Sequence, residues 1–243
     1  MSLEEKLQPG DVVLTCGRGF ELGSLPIRTA NFFKKGYGER GWTHAVLYIG
    51  DGQVVEAFPG GIVCRSFKES YSTDKFDLLA LRPKKANAQA IAKVIAFCKA
   101  EVSKKYDWRA LIYFALYNFL PAGLHFLLDK KFLGDCFNVN NSYFCSELIA
   151  TGLQKSDAYC FENPPYKVMP IDFYNDIWFD VVDRQVKQQG FNWLKDGLFF
   201  ALYVIAGIVC PLLLVALAGA IFVSLCAFVL AATKSQKQDD RKV

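Results

Sequence analysis

The sequence predicts an α+β domain with an antiparallel sheet and packed helices, followed by a C-terminal membrane segment. Three observations carry this. "HAVLYIGDGQVVEAF", residues 44–58, is two short apolar runs around Gly-Asp-Gly, the pattern of a tight β-hairpin. "ANAQAIAKVIAFCKAEVSKK", 86–105, places Ile91, Val94, Ile95, Cys98 and Val102 at helical spacing. Residues 197–232 carry no charged side chain. A helix of that length would be about 54 Å long, against a hydrocarbon core of about 30 Å.

The elements follow in order. "PGDVVLT" at 9–15 is a turn and a first strand, and a Gly-, Arg- and Lys-rich connection fills 16–41. The hairpin comes next, then "GGIVCRSF" as a third β segment and "FDLLALRP", 76–83, as a strand stopped by its proline. The helix of 86–105 should pack on the sheet. Residues 106–134 include an uncharged aromatic middle, Ala110 to Leu128, broken by Pro121, which reads as a buried helical pair or as an apolar lid. In "NNSYFCSELIATGLQKS", Leu148, Ile149 and Leu153 repeat at helical spacing, Asn141 or Ser142 can cap the start, and Cys145 falls in the first turn. A last β-like stretch closes the globular part. The expected division is a domain over 1–183, a charged connector over 184–196, the membrane segment over 197–232 and a basic tail over 233–243.

Composition narrows the classes of function. The net charge of +4 is modest and part of it lies in the last eleven residues, which suits a cytoplasmic membrane face better than nucleic acid. The N-terminus lacks a basic-then-apolar leader, so the first domain is expected to stay in the cytoplasm. Basic residues flank the apolar run on both sides, and Pro211 and Gly219 are candidate breaks. A helical hairpin with both ends in the cytoplasm and a single kinked span both fit. Eight cysteines are scattered without a C-x-x-C pair, and two histidines do not complete a zinc pattern, so neither metal nor cofactor is expected.

One cysteine stands apart. A thiol in a first helical turn meets unpaired N–H groups and the positive end of the helix dipole, which favour the thiolate. It then needs a proton shuttle, and the chain offers only His44 and His125. His125 sits in an apolar stretch, whereas His44 begins a strand with Glu56 on the next one. Register decides whether those two meet. A loop of Asp51-Gly52 alone would turn Glu56 away from His44. A loop of Gly50-Asp51-Gly52 pairs Ile49 with Gln53 and Val46 with Glu56, making His44 and Glu56 diagonal neighbours on one face. The three-residue loop is therefore expected. Trp42 and Tyr48 fall on the face assigned to His44 as core or cleft wall, and Asp11 and Glu147 read as a turn acid and a first-turn acid.

"PGDVVL", "WTHAVLYIGDGQVVEA", "YDW", "YFCSELI" and "MPIDF", in that order, resemble the circularly permuted NlpC-type papain-fold hydrolases, the YiiX-like group, over roughly 9–183. In that family the histidine-bearing strand precedes the cysteine-bearing helix, as His44, Glu56 and Cys145 do here. The resemblance implies a permuted papain-like fold with Cys145 as nucleophile, His44 as general base and acid, and Glu56 orienting His44. It implies acyl transfer through a thioester. The permuted relatives are also similar to the lecithin–retinol acyltransferase group, whose acyl donor is a lipid. Together with the membrane segment, this makes a lipid-like or acylated substrate the leading expectation. A cysteine peptidase or isopeptidase on a protein partner, and an inactive membrane-tethered interaction module, are the alternatives.

Overall fold

The computed structural model describes residues 2–18, 27, 41–109 and 142–186. It belongs to the first of two compact units, Met1–Gln188; the second unit, Gln189–Val243, lies outside the described residues. So do most of the 16–41 connection, His125, Asn141, residues 110–134 of the aromatic stretch, the apolar run of 197–232 and the tail. Among the described residues no helix is long and apolar enough to cross a membrane.

The first unit is α+β, as expected. Its strands are β1 (Val12–Gly17), β2 (His44–Gly50), β3 (Gln53–Phe58), β4 (Gly61–Ser66), β5 (Phe76–Pro83) and β8 (Phe179–Gln185). They form one six-stranded sheet in the order β4-β3-β2-β1-β5-β8, antiparallel at every step. β8 ends two residues beyond the boundary expected at 183. The short strands β6 (Lys105–Tyr106) and β7 (Ser142–Tyr143) pair in parallel.

Alternation along the strands sorts the core onto two faces. Val12, Leu14, Ala45, Leu47, Val55, Ala57, Leu79 and Leu81 lie on one, under α3 (Ala88–Ala100) and α4 (Cys145–Lys155). Val13, Val46, Tyr48, Val54, Leu78 and Ala80 lie on the other, covered by Leu3 of α1 (Leu3–Lys6), Leu7, Phe67 of α2 (Phe67–Ser70) and Tyr71. Burying Leu148, Ile149 and Leu153 stabilises the seat of α4 by about 1.5–3 kcal/mol each. The two helices touch where Gly152 leaves room for Cys98 and Phe97.

α3 is shorter than its apolar spacing suggested. Asn87 caps it, accepting from the Ala90 N–H at 2.8 Å, and the chain leaves the helix through a left-handed Ser103 (φ 76°). Lys105 is then free to join β6, and Val102 packs beyond the helix end. Trp42 is also placed differently. It precedes β2, is fully buried, and packs in the cluster under the helices rather than on the face of Tyr48.

The hairpin of β2 and β3 departs from expectation in its turn and agrees with it in its register. The loop is the two residues Asp51 and Gly52, both left-handed (φ 51° and 67°), as a type I′ turn requires. Gly50 pairs with Gln53, but Tyr48 pairs with Val54 and Leu47 with Val55. Ile49 is the extra residue of a β-bulge, and it shifts the frame by one. Beyond the bulge the strands run in the register first assigned to the longer loop, the one that brings Val46 opposite Glu56.

β3 and β4 meet across Pro59 and Gly60, with Glu56 opposite Val63. Gly61 has φ 118°, and a Cβ there would lie 2.8 Å from the Lys104 carbonyl oxygen. Replacing Gly61 by Ala is expected to destabilise the domain by about 1–3 kcal/mol. Urea denaturation measures this, and an unchanged midpoint would contradict it.

Candidate active site

The site is built where β2 and β3 part. Their ladder pairs run from Leu47–Val55 to the turn, and at Ala45 the backbone N–H is directed to the Cys145 sulfur instead. The N-terminus of α4 is thus seated against the opening ends of both strands. Cys145 is the first residue of that helix, and its own chain contributes a second backbone donor, Ser146 N–H.

The helix start is made without the expected cap. Ser142 belongs to β7, and the N-cap is Phe144, in extended conformation. Phe144 has no acceptor side chain for the first-turn N–H groups; only the reciprocal half of a capping box is present, Glu147 accepting from the Phe144 N–H at 3.3 Å. A buried phenylalanine at the cap lets apolar packing hold the Cys145 helix in place. Ser146 pins it from the other side by donating to the Val168 carbonyl at 2.7 Å.

The structure brings together all three residues singled out from the sequence. His44 Nε2 is 2.5 Å from Glu56 Oε2, and the imidazole is also in side-chain hydrogen-bonding contact with the Cys145 thiol. With Nε2 engaged by the carboxylate, Nδ1 is the nitrogen left for sulfur. Cys145 is 1% exposed and the Glu56 side chain 2%, whereas the His44 side chain keeps 21% of its surface. The imidazole is the solvent-facing member of a buried line.

Charge explains why that line is ionised. Burial alone would push His44 down, but the Cys145 thiolate and then the Glu56 carboxylate outweigh it and hold the imidazole up at about 10. Burial would likewise raise Cys145; the His44 imidazolium and the two backbone N–H groups reverse this and bring the thiol below its ordinary value. Glu56 follows the same logic. Burial opposes its charge, and His44, the Tyr71 hydroxyl and the Arg65 guanidinium pull it below the usual carboxylate range. Each charge in the line thus favours the next, thiolate, imidazolium and carboxylate in sequence.

Further side chains surround this line. Tyr71 donates to Glu56 Oε2 at 2.5 Å, and Arg65 Nε stands 2.9 Å from Oε1. Tyr106, half-buried beside Tyr143, feels burial first and then the Cys145 charge, both of which keep its phenol protonated. Burial pushes Glu147 up to about 8, opposed by the Phe144 N–H and reinforced by Asp107. Asp11 is a turn acid that accepts from the Gln8 N–H and also holds Arg82 through both carboxylate oxygens. Tyr48 is core, its hydroxyl accepting from the Gly52 N–H at 3.1 Å.

Among the described residues no cluster of His, Cys, Asp and Glu is arranged to hold a metal ion. No protein-family model matches the chain, and no curated protein matches it in sequence. What the site can do is read from its geometry and chemistry.

Proposed function

We propose that the chain is a membrane-anchored thiol hydrolase or acyltransferase that cleaves amide or ester bonds through a Cys145 thioester. The observation that carries this is the alignment of Cys145, His44 and Glu56 at a helix N-terminus, where His44 and backbone N–H groups lower the thiol. The order of the three residues along the chain, and an antiparallel sheet with the cysteine helix against it, support the permuted papain-like reading.

In the proposed reaction the Cys145 thiolate adds to a carbonyl carbon, and the electron pair moves to the carbonyl oxygen. Collapse of this adduct expels the amine or alcohol, which takes its proton from the His44 imidazolium. The acyl group remains on sulfur as a thioester. His44, now neutral, accepts a proton from water or from another acceptor as it attacks, and the thiolate is released. Glu56 keeps the ring oriented and supports its positive form throughout.

A lipid-like or acylated substrate is favoured by the uncharged run of 197–232, which would hold the site near a bilayer, with the catalytic domain on the cytoplasmic side. A separation of His44 from Cys145 beyond hydrogen-bonding reach would favour the inactive-module alternative; the mutual influence of the two groups supports the catalytic reading instead. The test is intact-mass labelling of the full chain in detergent with an acyl-chain-bearing electrophile. Prompt single-site modification is expected, lost in Cys145→Ala and strongly slowed in His44→Ala. Modification spread over the exposed Cys64 and Cys160, and unaffected by His44→Ala, would defeat the proposal.

A further inference from the structure

Tyr71 takes no part in the proton transfers of that reaction, yet its hydroxyl is held against the Glu56 carboxylate. It follows α2 directly, its N–H donating to the Phe67 carbonyl at 2.8 Å. Its ring is wedged between Phe67 (centroids 5.8 Å) and Phe76 (5.3 Å), so little freedom remains in the side chain. The hydroxyl is thereby aimed at Glu56 Oε2, the same oxygen that His44 Nε2 contacts. The same ring lies stacked beside the imidazole at 6.5 Å, with 25° between the planes.

A carboxylate oxygen that meets two donors has its lone-pair directions fixed by both. Rotation of Glu56 about its last bond would carry Oε2 away from His44. Arg65 restrains the other oxygen through charge, but it lies near the surface, its side chain 35% exposed. The Tyr71 hydroxyl is the buried restraint. We propose that Tyr71 is a positioning residue that acts on His44 through Glu56, fixing the oxygen that the imidazole uses and flanking the ring. This deepens the Cys145 reading and takes its functional meaning from it.

The groups facing this carboxylate are His44 from β2, Arg65 from β4 and Tyr71, with Cys145 facing His44 from α4. Because the chain has only two histidines, His44 can be followed directly by NMR of histidine-labelled full chain in detergent, with His125→Gln giving the assignment. Tyr71→Phe keeps the ring and removes the donor. Its expected effect is to lower the His44 titration midpoint by about one unit, the scale of one charge-assisted hydrogen bond. In a Glu56→Gln background the same change should move the midpoint by nothing measurable, since the path through the carboxylate is gone.

No shift in the Glu56 chain, an upward shift, or an equal shift in both backgrounds would overturn the proposal. An equal shift would mean that Tyr71 supports the fold rather than the carboxylate. The functional reading fails by a different observation: Cys145 alkylated no faster than Cys64 and Cys160. That result would leave the titration comparison standing on its own.

Discussion

In His44→Ala, alkylation of Cys145 at pH 7 is expected to slow by at least about 100-fold and to recover steeply as the pH is raised. The His44 imidazolium is the largest influence that opposes burial and lowers the Cys145 thiol. Without that cation, burial is opposed only by the Ala45 and Ser146 N–H groups and the helix terminus. A thiol at its ordinary value of 9.0 is about 1% ionised at pH 7, and burial at 1% exposure drives the fraction lower. The wild-type rate should instead be high and nearly level through neutrality. The measurement is the second-order rate with iodoacetamide between about pH 5 and pH 10, followed by intact mass. Parallel profiles for the two proteins would mean that sulfur and imidazole do not share a charge.

Glu56→Ala should be the most destabilising substitution in the site, by about 3–5 kcal/mol, because it strips the partner from two cations at once. The sign of its pH dependence follows from the shifts. Glu56 is held below its ordinary 4.5, so its stabilisation is complete above that value and fades as the pH falls through the lower, folded one. His44 is raised from 6.5 to about 10, so its share is complete below 6.5 and fades as the pH climbs toward 10. The gap between wild type and variant is therefore expected to be widest between about pH 4.5 and 6.5 and to narrow on both sides. Urea unfolding across that range checks it, and a gap independent of pH would show that packing rather than charge holds Glu56. Partial solvation of half-buried Arg65 places the effect toward the lower end of the range.

How far the site was legible depended on which force set each position. The convergence of His44, Glu56 and Cys145 could be anticipated because the chemistry expected of them constrains where they must stand. The demand that His44 and Glu56 share a face selected the correct register, even though the turn that delivers it is shorter than inferred. A bulge leaves no mark on hydrophobic alternation, since Ile49 looks like any other strand residue. The Phe144 cap was invisible for a related reason. Capping rules look for a side-chain acceptor at the cap, and here the cap is apolar and its own N–H is the group satisfied, by Glu147.

Arg65 could have been found. The two-residue connection Pro59-Gly60 fixes Val63 opposite Glu56, and Arg65 is then its diagonal neighbour on the same face. Tyr71 could not. It lies in "KESYSTDKF", which has no period, and its meeting with Glu56 depends on how an aromatic cluster packs across the sheet. The strands and α4 were legible because alternation and helical spacing there coincide with burial. The end of α3 was not, because Val102 keeps the period after the backbone has turned away.

The bulge at Ile49 turns the hairpin into an arithmetic constraint. His44 and Glu56 stand 12 residues apart, an even separation. On a two-residue turn without a bulge, residues sharing a face across the hairpin are separated by an odd number, so the same pair would face opposite sides. A distant relative can therefore be screened by counting. An even His-to-acid separation on a two-residue turn demands an unpaired residue somewhere in the hairpin, and an odd one forbids it. A single-residue insertion or deletion between the two positions exchanges one class for the other, whereas a change of two residues leaves the pair in phase.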